Sequence, residues 1–184
     1  LFSVLSDAVG AQPQSDHFVP SRPETLSWGW FPIDKPPILT VTSGDTVFVD
    51  TLSHAGSTQR AHPVESLGEL GVEASEILQD VIDFWDSRDG RPREGRSGHV
   101  ITGPIAIAGA EPGDTLEVQV LDLTTRAPYG INNTGPTSGV FARNYPGTRP
   151  SDPQRDIENA RHLYRTVTVD GREMALFSDD IRVP

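Results

Sequence analysis

The chain has 184 residues, of which 35% are hydrophobic and 22% charged, with a net charge of −11 and a pI near 4.7. This is enough for one ordinary domain with a buried core. The acidic balance excludes a nucleic-acid face or docking on anionic lipid, and the lack of cysteine excludes disulfides, thiolate zinc sites and a cysteine nucleophile.

No apolar run approaches the roughly 18–20 residues that cross a bilayer. Residues 1–15 read as a flexible N-terminus or as the remnant of an export signal. The stretch "LFSVLSDAVGAQPQ" is apolar and has a small pair at Val9 and Ala11, but no basic region precedes it. The compartment therefore stays open between cytoplasmic and exported.

Pro36 and Pro37 lead into "ILTVTSGDTVFVDTLSH". The pattern predicts a strand over Ile38–Thr42, a turn at Ser43-Gly44-Asp45 and a strand over Thr46–Leu52. A helix is predicted over Ser75–Trp85, with Ile77, Val81 and Phe84 or Trp85 on one face and Ser75 as cap. Ser87–Gly98 is charged and rich in Gly and Pro, so it reads as an exposed loop that delivers the chain to His99.

The same strand-turn-strand grammar recurs in "IAIAGAEPGDTLEVQVLDL". Here Leu116, Val118 and Val120 alternate with polar residues after a turn at Gly109–Asp114. Both turns contain Gly-Asp-Thr, read as turn chemistry, with Gly taking positive φ and Asp bonding nearby amides, in preference to an internal duplication. After Leu123 the pattern dissolves into a long loop with Tyr129, Phe141 and Tyr145 as packing aromatics. A hairpin follows across Asp170-Gly171, and a new strand is due at "DDIRVP". The fold class is mainly β, with one short helix and long loops.

Of five histidines, no pair has helical metal-site spacing, and no H-E-x-x-H, phosphate loop or G-x-S-x-G elbow occurs. His54 follows a strand, and Asp50 lies four residues earlier on the same face. The two read as a base with its orienting carboxylate or as a salt-linked rim pair. His99 precedes the bend Thr102-Gly103-Pro104. Amides at that bend could hold a carbonyl oxygen while the imidazole relays a proton, or His99 could be a hydrogen-bonded strand start. Trp28, Trp30 and Phe31 form a candidate aromatic platform, which suits a non-catalytic binding module.

"HVITGPIAIAGAEPGDTLEVQVLDL" resembles the acetamidase/formamidase family. Its members carry a Thr-Gly-Pro strand, then Gly-Ala-Glu-Pro-Gly-Asp, then a strand ending near Leu-Asp. "HFVPSRPETLSWGW", the Ser-Gly-Asp segment and "PYGINNTGP" extend the similarity over about residues 16–184. The resemblance implies a jelly-roll-like β-sandwich that hydrolyses small linear amides to ammonia and a carboxylate.

It also implies that residues 16–184 are the N-terminal portion of such an enzyme. Family members continue with a Pro-Phe-x-Gly-x-x-Gly segment and a Gly-Asp-x-His motif that this sequence does not contain. The implied partners are a small amide and either further copies of the chain or a C-terminal half. A divalent metal ion is one way to activate the water. From this half, His54, Asp50 and His99 are the expected catalytic groups, and Thr102 and Gly103 the substrate-binding corner. The family often has Asn where His99 stands. The alternative is an inactive truncated homologue or the binding module.

Overall fold

A computed structural model describes residues 14–91, 98–134 and 160–184. The expected packing aromatics Phe141 and Tyr145 lie outside these ranges, as does most of the predicted N-terminal segment. The described chain is mainly strand with a few short helices, without a closed barrel among the described residues. It divides into two compact units, one comprising residues 1–58 and 79–119, the other residues 59–78 and 120–184.

In the first unit, six short strands form three pairs. β1 (His17–Val19) runs parallel to β4 (Val47–Val49), β2 (Leu26–Trp28) antiparallel to β5 (Val100–Thr102), and β3 (Leu39–Val41) parallel to β6 (Ile105–Ile107). The predicted strands around Gly44 are present, though the second ends at Val49. They do not pair as a hairpin: each finds a parallel partner far away in sequence, a relation that local pattern cannot encode.

The Gly-Asp-Thr turns are alike in detail. Asp45 Oδ2 accepts from Thr42 N at 2.8 Å, and Asp114 Oδ2 accepts from Glu111 N at 2.8 Å. Gly44 and Gly113 have φ of 97° and 106°, a region that suits glycine. His17 closes the first turn from outside, with Nε2 3.1 Å from Asp45 Oδ2.

The second strand expected after Gly113 is not formed. Residues 115–123 enter no ladder among the described residues, and Leu116 and Val118 are 63% and 73% exposed. Alternation alone does not make a strand; a partner must take up its backbone groups.

The first unit buries Val19, Leu26, Leu52, Val81 and Phe84. Val81 and Phe84 come from α3 (Gln79–Asp86), so the predicted helix exists but starts four residues late. Ala74–Glu76 is a separate 3-10 turn, and Ile77 is extended at φ −80°, ψ 123° between the two. The cap is not Ser75. Glu73 and Glu76 form a reciprocal capping box instead, with Glu73 N donating to Glu76 Oε2 at 2.9 Å.

The second unit contains α2 (Pro63–Gly68), which sequence periodicity does not reveal because it is under two turns long. Its start follows known rules: Pro63 stands in the first turn, and His62 Nδ1 accepts from Val64 N at 3.3 Å. Leu67, Val72 and Ile77 are buried here.

The unit's sheet has the order β10-β9-β8-β7, all antiparallel, with β7 Tyr129–Thr134, β8 Ala160–Val169, β9 Arg172–Leu176 and β10 Arg182–Val183. The Asp170-Gly171 hairpin and the terminal strand are where the sequence puts them. β7 was expected to be loop. Its Gly-Ile-Asn-Asn run lacks an apolar alternation, but as an edge strand it needs only one hydrogen-bonding neighbour.

Arg165 of β8 ties the sheet to the helical segment of the same unit. Nη1 donates to Glu76 Oε1 at 2.7 Å and Nη2 to Gly71 O at 2.6 Å. At the hairpin, Asp170 and Gly171 have φ of 50° and 77°. Gly171→Ala meets no steric neighbour, so its cost is backbone strain alone, about 1 kcal/mol. Urea unfolding measures it, and an unchanged midpoint would show that the turn relaxes freely.

Candidate functional site

His54 and His99 come together within the first unit. Their rings meet edge to face, with centroids 4.8 Å apart and planes at 71°. His54 opens a short kinked turn, α1 (His54–Ser57), whose Gly56 has φ 101°. Ser53 caps that turn, its Oγ accepting from Ala55 N at 3.2 Å. His99 is placed from the other side by β2, as its carbonyl accepts from Gly29 N at 2.8 Å. Both imidazoles remain exposed to solvent.

Partial burial and the neighbouring His99 both push the His54 pKa below its ordinary value of 6.5. At neutral pH the ring is therefore neutral and able to accept a proton. A second imidazole beside it disfavours two charges at once.

Strand β4 ends at Val49, so the two-residue repeat does not carry from position 50 to position 54. Asp50 takes part through its main chain: N donates to Val19 O at 2.9 Å, and O accepts from Thr102 Oγ1 at 3.1 Å.

Thr102 lies on β5, three residues beyond His99. The Gly103 N–H donates to Thr25 O at 2.9 Å. The bend at Gly103 has φ 131° and a cis Gly103-Pro104 peptide. Thus the structure brings the two histidines into contact, and the Thr102-Gly103 corner is engaged through Thr102 Oγ1 and Gly103 N. That corner clamps β5 to the segment leading to His54.

The sequence pattern that defines the acetamidase/formamidase family matches residues 59–175. The chain belongs to the acetamidase/formamidase family. No curated protein matches it significantly. Membership supports amide hydrolysis at the level of the family. His99, Thr102 and Gly103 fall inside the family's matched span, whereas Asp50 and His54 precede it.

The other histidines hold structural partners: His17 has Asp45, His62 caps α2, and His162 packs at 6.3 Å from Tyr164. Two imidazoles are fewer than the three protein ligands a catalytic divalent metal uses, and no cluster of three or more His, Asp or Glu occurs among the described residues. The donor set here therefore does not by itself fit a metal ion.

The depressed His54 pKa makes a stability prediction for this family member. The unfolded chain binds the proton more tightly, so stability is intact above 6.5 and falls as pH drops through that value. His54→Gln should flatten the fall between melts at about pH 7.5 and about pH 5.5. Equal slopes for variant and wild type would show that protonating His54 carries no penalty.

Proposed function

We propose that the chain supplies proton-handling residues to an enzyme that hydrolyses small linear amides such as formamide and acetamide. What carries this reading is the contact of His54 with His99 in a member of this family. Neutral His54 takes a proton from water as the oxygen attacks the amide carbon, forming the C–O bond. The tetrahedral intermediate then expels nitrogen as the C–N bond breaks. The imidazolium returns its proton to that nitrogen, releasing ammonia and a carboxylic acid that ionises. His99 orients His54 and tunes its basicity.

Thr102 and Asp50 act as positioning residues. Their hydrogen bond joins the strand after His99 to the segment before His54. Thr102→Val is expected to lower kcat about tenfold by loosening this geometry, and Thr102→Ser to restore it. A valine variant with wild-type kcat would remove Thr102 from the account.

The exposed apolar positions Leu116 and Val118 support a further part of the proposal. This segment becomes a paired strand when the chain meets further copies of itself or a C-terminal half, within a jelly-roll-like sandwich. The competing binding-module reading draws on the exposed Phe31 and on Trp28 and Trp30 beside a cleft. Ammonia release from formamide or acetamide decides between them, because a binding module releases none.

A further inference from the structure

Lys35 is the chain's sole lysine. Its Nζ donates to Leu26 O at 3.0 Å and lies 3.2 Å from Ser27 Oγ. Arg91 reaches the same carbonyl, with Nη1 2.8 Å from Leu26 O, and its Nη2 donates to Pro23 O. Two full positive charges therefore converge on one neutral oxygen.

That oxygen is available because Leu26 faces away from β5. The flanking ladder bonds to β5 run through Thr25 O and Gly29 N. A carbonyl satisfies hydrogen-bond donors but cancels no charge. Among the described residues neither cation forms an ion pair with a carboxylate. Arg91 Nε is buried and makes no hydrogen bond. Burial depresses both pKa values; Arg91 lowers that of Lys35 further, while the Glu24 carboxylate opposes the fall at Arg91.

The pair borders a shallow, open cleft of about 420 Å³ lined by Pro23, Trp28, Trp30 and Pro32. Trp28 is held in place by Arg88, whose guanidinium lies 5.3 Å from the ring centroid, and by the edge-to-face contact with Phe84 at 6.1 Å. Glu24 and Asp34 also line the cleft and are exposed. They disfavour a second negative charge, which argues against phosphate-like dianions.

We propose that this cleft binds a small monocarboxylate with an apolar body, its carboxylate on Lys35 and Arg91 and its body against Trp28 and Trp30. Neither His54 nor His99 lines the cleft, and the proposal does not depend on amide turnover.

Tryptophan fluorescence titration tests it with three probes: benzoate, neutral benzyl alcohol of similar shape, and inorganic phosphate. The wild-type chain should show saturable quenching by benzoate, at least about tenfold tighter than by benzyl alcohol or phosphate. Lys35→Met should weaken benzoate by at least about tenfold, and Lys35→Arg should retain most of it. No saturable response to benzoate would overturn the proposal. So would equal affinity for benzoate and benzyl alcohol, a comparison that needs no variant. Because the readout is optical, a chain that releases no ammonia can still pass, and an active one can still fail.

Discussion

Replacing His99 with alanine is expected to lower kcat for amide hydrolysis by about 10²–10⁴-fold, the usual contribution of a positioned acid–base group. His54→Ala should do the same, and the double variant should be little worse than either, because the two rings act as one unit. The reason is geometric. His99 meets the His54 ring edge to face at 4.8 Å and, after burial, is the second cause of its lowered pKa. Without it, His54 regains a higher pKa and loses its orientation. The low-pH limb of kcat/KM should therefore move to higher pH in His99→Ala. An unshifted limb with reduced kcat would mean that His99 acts on substrate and not through His54.

Phe84→Ala is expected to cost about 3–5 kcal/mol, as large-to-small changes at sealed aromatic positions do. Phe84 is completely buried in α3. Its ring meets Trp28 edge to face, and the Arg91 guanidinium lies 5.4 Å from its centroid. Few surrounding groups can collapse into the space left, since Trp28 is fixed on β2 and Arg91 is held by two carbonyls. Against a typical total stability of about 5–15 kcal/mol this is a large share. Urea unfolding measures it, and a loss under about 1 kcal/mol would show that Phe84 is not the keystone of the first unit's core. The same variant should weaken carboxylate binding at the cleft, because both Trp28 and Arg91 lean on the ring.

Local chemistry was legible in the sequence, and long-range pairing was not. The Asp170-Gly171 hairpin and the two Gly-Asp turns follow from which residues tolerate positive φ, so they needed no tertiary context. The parallel pairing of β3 with β6 joins residues 66 positions apart at Leu39 and Ile105, and nothing in either triplet names its partner. Thr115–Val120 shows the converse: the alternation is plain, yet with no neighbour it forms no ladder.

The candidate site divides along the same line. His54 and His99 stood out singly, as a strand-end residue and a residue before a sharp bend. Their contact depends on β2 placing one and Ser53 capping the other. The Asp50–His54 pairing rests on strand periodicity, which does not extend past Val49, where β4 stops. Lys35 stands out in the sequence as the sole lysine, but composition alone assigns neither it nor Arg91 a function. Only the shared carbonyl of Leu26 gives the pair meaning.

The central claim is that the His54–His99 pair serves hydrolysis of a small amide. The most direct test is ammonia release from formamide and acetamide, by this chain alone and with the Gly-Asp-x-His segment of the family supplied in trans. Wild type and His99→Ala are compared in each case. The account predicts release by the wild type when that segment is present, and a rate at least about a hundredfold lower for His99→Ala. Release from neither amide under either condition, or equal rates for wild type and variant, would contradict it.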